Sequence, residues 1–180
     1  MIHYRIALTG AHGTGKTTLV DIISREMNIT SIKNTVRTFW EKSGVEDFEK
    51  IPRNIRGEFQ KLLILNQIKK EDDIFGNSYI TDRSLIDYLA YTKVSSDIQE
   101  SDWNILKALV KERVKSYTHI IYVPIEFEAQ KERLRADIAI QQDIDKVIQE
   151  LLPEICQGDK FVWISGSIKE RVQMIKDFIK

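Results

Sequence analysis

The sequence predicts a doubly wound α/β domain, in which a parallel sheet of about five strands lies between two layers of helices. Short apolar runs alternate with longer stretches whose apolar residues recur at helical spacing. Strands that alternate with helices pair in parallel through crossover helices, which gives a three-layer fold. The length of 180 residues, of which 42% are hydrophobic, suits a single core. We therefore expect residues 1–180 to form one domain.

Each predicted strand is a short apolar or β-branched run that ends at a turn-forming or polar residue. The first run ends at Gly10, the third at Asp82 and the fourth at Pro124. The five predicted strands are residues 4–9, 29–32, 78–81, 118–123 and 161–164.

Each predicted helix carries its apolar residues largely on one side, as Leu19 and Ile23 do in the first. Pro52 and Gly57 predict an irregular segment before the second helix. The predicted helices cover about residues 16–27, 58–74, 85–91, 103–110, 127–135 and 138–152, and a last one follows Gly166.

Composition disfavours several classes of protein. The 27 basic residues balance 27 acidic ones, so the basic footprint of a duplex nucleic-acid binder is missing. The apolar runs are far shorter than a membrane span, and the N-terminus has no signal-peptide layout. The single cysteine cannot form an internal disulfide, and no Cys/His spacing fits zinc. We expect a cytoplasmic protein with no zinc and no membrane partner, acting on a small molecule rather than on nucleic acid.

A glycine cluster follows the first predicted strand. Residues 10–17, Gly-Ala-His-Gly-Thr-Gly-Lys-Thr, fit the phosphate-loop pattern of two glycines separated by four residues and followed by Lys and Ser/Thr. Glycines allow successive N–H groups to point at one centre, the lysine reaches the β and γ phosphates, and the hydroxyl is placed to ligate Mg²⁺. Composition alone produces this pattern in roughly 0.4% of such chains, which disfavours a plain glycine-rich turn. The predicted nucleotide contacts are Gly10, Gly13, Thr14, Gly15, Lys16, Thr17 and Thr18.

A second candidate group lies at the end of the third predicted strand, where Asp82 is followed by Arg83 and Ser84. The Asp82 carboxylate can hold Mg²⁺ together with Thr17, or accept a proton from an acceptor hydroxyl. Arg83 can contact a phosphate or clamp the acceptor. The alternative is that Asp82 caps the helix that begins near Ser84.

Other nucleotide-dependent classes fit less well. The D-x-x-G spacing of GTPases occurs at residues 73–76, but it does not follow a strand, and there is no N-K-x-D motif. A mechanical AAA+ motor normally has a further helical domain that 180 residues cannot easily hold. A compact kinase-like phosphotransferase remains.

The stretch 6–19, Ile-Ala-Leu-Thr-Gly-Ala-His-Gly-Thr-Gly-Lys-Thr-Thr-Leu, resembles a small single-domain P-loop ATPase/kinase family. That family includes nicotinamide riboside kinase domains and is related to thymidylate and deoxynucleoside kinases. Residues 82–91, Asp-Arg-Ser-Leu-Ile-Asp-Tyr-Leu-Ala-Tyr, look like the D-R-x-x-x-D-x-x-A-Y segment of those kinases. The resemblance implies a P-loop NTPase fold of the nucleoside/nucleotide-kinase type, with ATP and Mg²⁺ as cofactors.

The resemblance also implies an acceptor contact after the second strand, where such kinases carry an acid-x-x-Arg element. Arg37 matches the arginine of this element, whereas Asn34 replaces the acid, which moves the role of general base onto Asp82. The alternative is that Arg37 is an ordinary surface residue.

A lid at about residues 125–138 is the next implied feature, with Arg133 and Arg135 as the two candidates to stabilise the transferred phosphate. These arginines also fit an exposed helix face with i,i+3 and i,i+4 ion pairs. The loop around Gly166 is implied to pass against the adenine. Ser167 and Glu170 have the spacing of a capping box for the last helix.

The sequence thus favours an ATP- and Mg²⁺-dependent kinase whose acceptor is a nucleoside, a nucleotide or nicotinamide riboside. The alternatives are a nucleotide-binding ATPase or switch protein with little kinase activity, and a kinase that acts on a polynucleotide. The acceptor, the oligomeric state and the choice between Arg133 and Arg135 stay open at this point.

Overall fold

The computed structural model describes residues 3–33, 36, 50–74, 76–126, 138–156, 158 and 160–180. Within these residues one sheet contains five strands in the order β2-β3-β1-β4-β5, and each neighbouring pair is parallel. The predicted α/β class with a parallel sheet is confirmed. The strands are β1 (Arg5–Thr9), β2 (Thr30–Ile32), β3 (Tyr79–Thr81), β4 (His119–Tyr122) and β5 (Phe161–Trp163).

Helices cover both faces of the sheet, as the alternation of strands and helices predicts. The described helices are α1 (Lys16–Met27), α2 (Arg53–Asp73), α3 (Leu85–Ser95), α4 (Glu100–Val114), α5 (Ile138–Ile155) and α6 (Ile168–Ile179). α1 and α6 pack on one face, where Ile6 and Leu8 of β1 are buried. Ala7 points to the other face, which α2, α3, α4 and α5 cover. This alternation along β1 is the period of two that a strand buried on both faces requires.

Several helix boundaries differ from the prediction, and α3 and α4 are longer than the predicted ranges 85–91 and 103–110. α2 begins at Arg53 rather than at residue 58, so Gly57 lies inside a helix and not in an irregular segment. Proline is tolerated beside a helix N-terminus, and Pro52 is the N-cap residue of α2. α5 runs through Pro153 to Ile155 instead of stopping at residue 152. The predicted helix at 127–135 lies outside the described residues.

The site is positioned by the adjacency of β1 and β3. Arg5 of β1 pairs with Tyr79 of β3, and Ala7 pairs with Thr81, so the two strands end at the same edge of the sheet. The glycine cluster after β1 and Asp82 after β3 therefore meet there. In the described part of the chain, no helix is both long and apolar enough to span a membrane.

Candidate functional site

The glycine-rich loop lies between β1 and α1. Gly10, Gly13 and Gly15 have φ angles of +149°, +77° and +89°, which other residues rarely adopt. Gly10 is also required for space, because a Cβ there would lie 2.3 Å from the carbonyl oxygen of Val123. α1 starts directly after Gly15, and no side chain caps this helix N-terminus within the described residues. The loop therefore presents backbone N–H groups and a helix N-terminus, an arrangement suited to an anion.

Lys16 lies against the inside of this loop. Its Nζ donates hydrogen bonds to the carbonyl oxygens of Gly10, at 2.7 Å, and Ala11, at 2.5 Å. The hydroxyl of Thr14 donates to the same Ala11 oxygen at 3.1 Å. Lys16 is buried in the loop, whereas Thr17 and Thr18, next along α1, are exposed. The positions of these side chains agree with the predicted nucleotide contacts, whose roles stay predictions.

Thr17 and Asp82 are in direct contact, with Thr17 Oγ1 donating to Asp82 Oδ2 at 2.8 Å. Asp82 is not the cap of α3, because the Ser84 hydroxyl accepts from the N–H groups of Ile86 and Asp87 at that helix N-terminus. A hydroxyl and a carboxylate are hard oxygen ligands, and Mg²⁺ usually takes one or two such protein ligands besides waters and phosphates. The pair therefore fits the predicted magnesium site.

Arg83 is buried beside Tyr91. Its guanidinium carbon lies 4.4 Å from the centre of the Tyr91 ring, and its Nη2 donates to the Tyr91 hydroxyl at 3.4 Å. The same hydroxyl is hydrogen-bonded to Nδ1 of His12 in the glycine loop, at 2.8 Å. His12 therefore connects the glycine loop to Tyr91, the residue that contacts Arg83.

Asp87 connects α3 to the glycine loop. Its Oδ1 accepts from the N–H of Gly10 at 2.8 Å, and its Oδ2 accepts from the N–H and the hydroxyl of Ser84 at 2.7 and 3.0 Å. Burial raises the pKa of the Asp87 carboxyl, while Lys16 and Arg83 oppose this change in pKa. One buried carboxyl therefore stabilises both the first residue of the loop and the start of α3.

Arg171 of α6 contacts three segments around the site. It donates to the carbonyl oxygens of Thr14 and Gly166, both at 2.9 Å, and to the Glu126 carboxylate at 2.6 Å. Glu126 in turn accepts from the N–H of Gly166 at 3.0 Å. The hydrogen bond from Arg171 lowers the pKa of Glu126. Both backbone polar groups of Gly166 are used in this way, so the loop predicted to border the adenine is tied to the glycine loop through Arg171.

Ser167 caps α6 and forms the predicted capping box with Glu170.

Three of the predicted site residues lie outside the described residues: Arg37, Arg133 and Arg135. Residues 127–137 of the predicted lid also lie outside them. The remaining predicted residues lie around the carboxyl ends of β1 and β3 and the loop before α6.

The residues that sequence reasoning missed are those that support the loop from other elements. Asp87 and Tyr91 had a signal, because both belong to the recognised 82–91 segment. Gln141 and Arg171 had none, since their partners in the glycine loop lie far away in the sequence. Glu126 also had none, because it supports the loop only through Arg171, 45 residues away.

Comparisons with known proteins agree with this geometry. A family model described as an AAA domain matches residues 5–171. No curated protein matches significantly. Among solved structures, deoxyadenosine kinase from M. mycoides is similar with a TM-score of 0.67 and 17% identity, over 97% of each chain. Thymidylate kinase from Candida albicans has a TM-score of 0.64 and 13% identity, over 98% of this chain and 91% of its own.

NadR protein, solved in complex with NAD and AMP-PNP, is similar with a TM-score of 0.72 and 17% identity. The match covers 98% of this chain but 48% of NadR, so this chain spans about half of that protein. At these identities the solved structures establish the shared fold. Since the family model covers most of the chain, from β1 to Arg171, the protein belongs to this AAA-domain family of P-loop proteins.

Proposed function

We propose that this protein is a P-loop phosphotransferase that transfers the γ-phosphoryl group of ATP to a small nucleoside, nucleotide or nicotinamide riboside acceptor in the presence of Mg²⁺. The observation that carries the proposal is the contact between Thr17 and Asp82 beside the glycine loop. A loop that binds an anion explains nucleotide binding, whereas the added hydroxyl–carboxylate pair supports transfer chemistry.

The glycine-loop amides and Lys16 bind the β and γ phosphates in this proposal. Thr17 and Asp82 are the residues that hold Mg²⁺, which when bound neutralises negative charge on the phosphate oxygens. Lys16, whose ammonium lies against the inside of the loop, supplies a positive charge to the same oxygens.

The alternative role of Asp82 in the proposal is that of the group that accepts the proton of the acceptor hydroxyl. As the new bond from the acceptor oxygen to the γ-phosphorus forms, the bond from that phosphorus to the leaving oxygen of ADP breaks. Arg83, held by Tyr91, orients the acceptor. Arg37 is proposed as a further acceptor contact, and Arg133 or Arg135 as the cation that covers the transferred group.

The acceptor class is supported by the structures that share the fold. They are a deoxyadenosine kinase with dCMP and dCDP, a thymidylate kinase, and NadR in complex with NR. All three act on or bind molecules that carry a base and a sugar, so these compounds form the first acceptor set to test.

The test is an acceptor screen with γ-labelled ATP on the wild type, Lys16→Ala and Lys33→Ala. Lys33 is a matched control, because it is an exposed lysine whose partner is Asp21 rather than the loop. We expect at least one acceptor to be labelled by the wild type and by Lys33→Ala, and labelling to fall about a hundredfold or more in Lys16→Ala. Chelation of Mg²⁺ should abolish labelling of the same acceptor.

If nucleosides, nucleotides and nicotinamide riboside are all labelled no more than in Lys16→Ala, the kinase proposal is wrong. Tight ATP binding without acceptor-stimulated release of ADP would then identify a nucleotide-dependent switch protein. Labelling of an oligonucleotide end instead would identify a polynucleotide kinase.

A further inference from the structure

Two carbonyl groups of the glycine loop are held from outside the loop by buried side chains. Gln141 of α5 donates through Nε2 to the carbonyl oxygen of His12 at 2.5 Å. Arg171 of α6 donates through Nη1 to the carbonyl oxygen of Thr14 at 2.9 Å. Gln141 is 1% exposed and Arg171 is 2% exposed. Such contacts are specific, because a buried amide or guanidinium must find an acceptor.

These contacts determine the direction of two N–H groups. A trans peptide unit is planar, and its C=O and N–H bonds point in opposite directions. No cis peptide occurs in the described chain. Since the carbonyl of His12 points to Gln141, the N–H of Gly13 points away from α5. Since the carbonyl of Thr14 points to Arg171, the N–H of Gly15 points away from α6.

We propose that Gln141 and Arg171 are positioning residues that fix the N–H groups of Gly13 and Gly15 for a triphosphate. We call this pair of contacts the carbonyl clamp. The identity of the ligand rests on the proposed function, whereas the restricted motion of the two N–H groups is a property of the free protein. Preorganised donors bind an anion more tightly, because no ordering has to accompany binding.

Both members of the clamp are rigidly held. The Arg171 guanidinium is also bonded to Gly166 and Glu126, and the Glu126 carboxylate compensates its buried charge. Gln141 lies in α5, which packs closely against α3. A site supported by helices in this way is held more precisely than one supported by flexible segments.

The test uses Gln141→Leu, Arg171→Met and Arg171→Lys. Gln149→Leu is the control on α5, because Gln149 bonds to Tyr122 and Asp145 instead of the loop. Lys176→Met is the control on α6, because Lys176 pairs with Glu26. Two quantities are measured: the ¹⁵N order parameters of the Gly13 and Gly15 N–H groups in the free protein, and the Kd of tripolyphosphate by calorimetry.

We expect the Gly13 order parameter to fall in Gln141→Leu and the Gly15 order parameter to fall in Arg171→Met, from the value of about 0.85 that is typical of a rigid backbone. Tripolyphosphate Kd should rise about tenfold in each variant, as expected for the loss of one buried hydrogen bond that orients the site. Arg171→Lys should restore part of both quantities, and the two controls should match the wild type. Gln141 is uncharged, so lost charge cannot explain its effect.

The proposal is overturned if folded Gln141→Leu and Arg171→Met keep wild-type order parameters, or if they bind tripolyphosphate within twofold of the wild type. Should Arg171→Met fail to fold, Gln141→Leu and Arg171→Lys still decide the question. If the wild type itself binds neither ATP nor tripolyphosphate, the proposed function fails, and the clamp proposal fails with it because the clamp has no ligand. If the wild type binds tripolyphosphate but the variants keep wild-type order parameters, the clamp proposal alone fails.

Discussion

Asp82 and Thr17 are separated by 65 residues in the chain, yet one hydrogen bond of 2.8 Å joins their side chains. The parallel pairing of β1 with β3 brings them together, since each follows the carboxyl end of its strand. A carboxylate that serves the metal or the acceptor proton contributes mainly to the transition state. It should therefore affect turnover much more than nucleotide binding.

For Asp82→Asn we expect kcat for the identified acceptor to fall about a hundredfold or more, with a much smaller change in ATP affinity. Steady-state kinetics and calorimetry measure the two effects. Asp97→Asn is the control, because Asp97 is an exposed carboxylate paired with Arg53. An Asp82→Asn enzyme with wild-type kcat would remove Asp82 from the chemistry.

Two glycines of this chain should respond to alanine in opposite directions. At Gly10 the φ of +149° is strained for alanine, and the new Cβ would lie 2.3 Å from the backbone oxygen of Val123. At Gly57, inside α2, the new Cβ would meet only the Ser96 side chain, at 3.7 Å, an ordinary contact.

Gly10→Ala should therefore lower the free energy of unfolding by about 3 kcal/mol or more. Gly57→Ala should raise it by about 0.5–1 kcal/mol, because alanine is the better helix former. Urea denaturation of both variants measures the difference. A stable Gly10→Ala protein would show that the loop can move away from Val123 at little cost.

A functional residue could be predicted from the sequence where its role depends on neighbours within one short motif. Lys16 and Thr17 follow from the glycine spacing, and Asp82 from its place after a strand. Arg171 could not be found in this way, because its partner Thr14 is 157 residues away and an arginine in an amphipathic helix has no distinctive spacing. Only packing of α6 beside α1 reveals its role.

Two capping boxes of the same design stabilise α3 and α6. In α3 the acidic member is Asp87, which also accepts the N–H of Gly10. In α6 the acidic member is Glu170, whose hydrogen bonds are made with the exposed Ser167. Variants of the two boxes can therefore be compared to distinguish the effect of helix capping from the effect of supporting the glycine loop.

Ser84→Ala and Ser167→Ala should each lower the free energy of unfolding by about 1 kcal/mol. Asp87→Ala should lower it by about 3 kcal/mol, because the buried N–H of Gly10 also loses its acceptor. Asp87→Ala should in addition weaken ATP binding, whereas Glu170→Ala should leave it unchanged. Denaturation and calorimetry check these expectations; equal ATP affinity in the two acidic variants would contradict a role of Asp87 in the loop.

The strands were predicted to within one or two residues, because each is a short apolar run between clear stop signals. The start of α2 was missed, since Pro52 and Gly57 both count against a helix in sequence terms. Packing decides otherwise. Gly57 is buried close to Ser96 at the end of α3, and this tertiary contact outweighs a helix-propensity penalty of about 1 kcal/mol.

Across the whole molecule, a chain of buried hydrogen bonds links the opposite edge of the sheet to the site. The Gln67 amide donates to Glu71 at 2.7 Å and to the Thr81 hydroxyl at 2.9 Å. That hydroxyl donates to the carbonyl oxygen of Arg83 at 2.9 Å. Tyr117 donates to the same Glu71 oxygen at 2.7 Å. The path thus runs from Glu71 through Gln67 and Thr81 to the backbone of Arg83, the residue next to Asp82.

Glu71 is the one acid in this path, and its surroundings are unusual. It lines a cavity of about 50 Å³ together with Arg5, Asp72, Tyr79 and Arg113. Burial raises the pKa of Glu71 from 4.5 to about 7, against the opposing effects of its hydrogen bonds and of Arg113; the nearby Asp72 charge adds to the increase in pKa. The folded protein therefore holds this proton more tightly than the unfolded chain does.

The raised pKa predicts that stability falls with rising pH. Below about pH 4.5 Glu71 is protonated in both states, and its full contribution to stability is present. Between 4.5 and about 7 the unfolded chain loses the proton while the folded protein keeps it, so the free energy of unfolding decreases. Above about 7 the loss is complete and amounts to about 3 kcal/mol.

Glu71→Gln should remove this pH dependence, since the neutral amide keeps an oxygen that can accept from Gln67 and Tyr117. We expect the variant to be about 2–3 kcal/mol more stable than the wild type at pH 8 and similar to it near pH 5. Asp73→Asn is the neighbouring control, because it removes an exposed ion pair with Lys69 that is worth at most about 1 kcal/mol. Denaturant unfolding at both pH values gives the comparison. If the difference between Glu71→Gln and the wild type does not change with pH, the buried carboxyl is not the group whose titration limits stability.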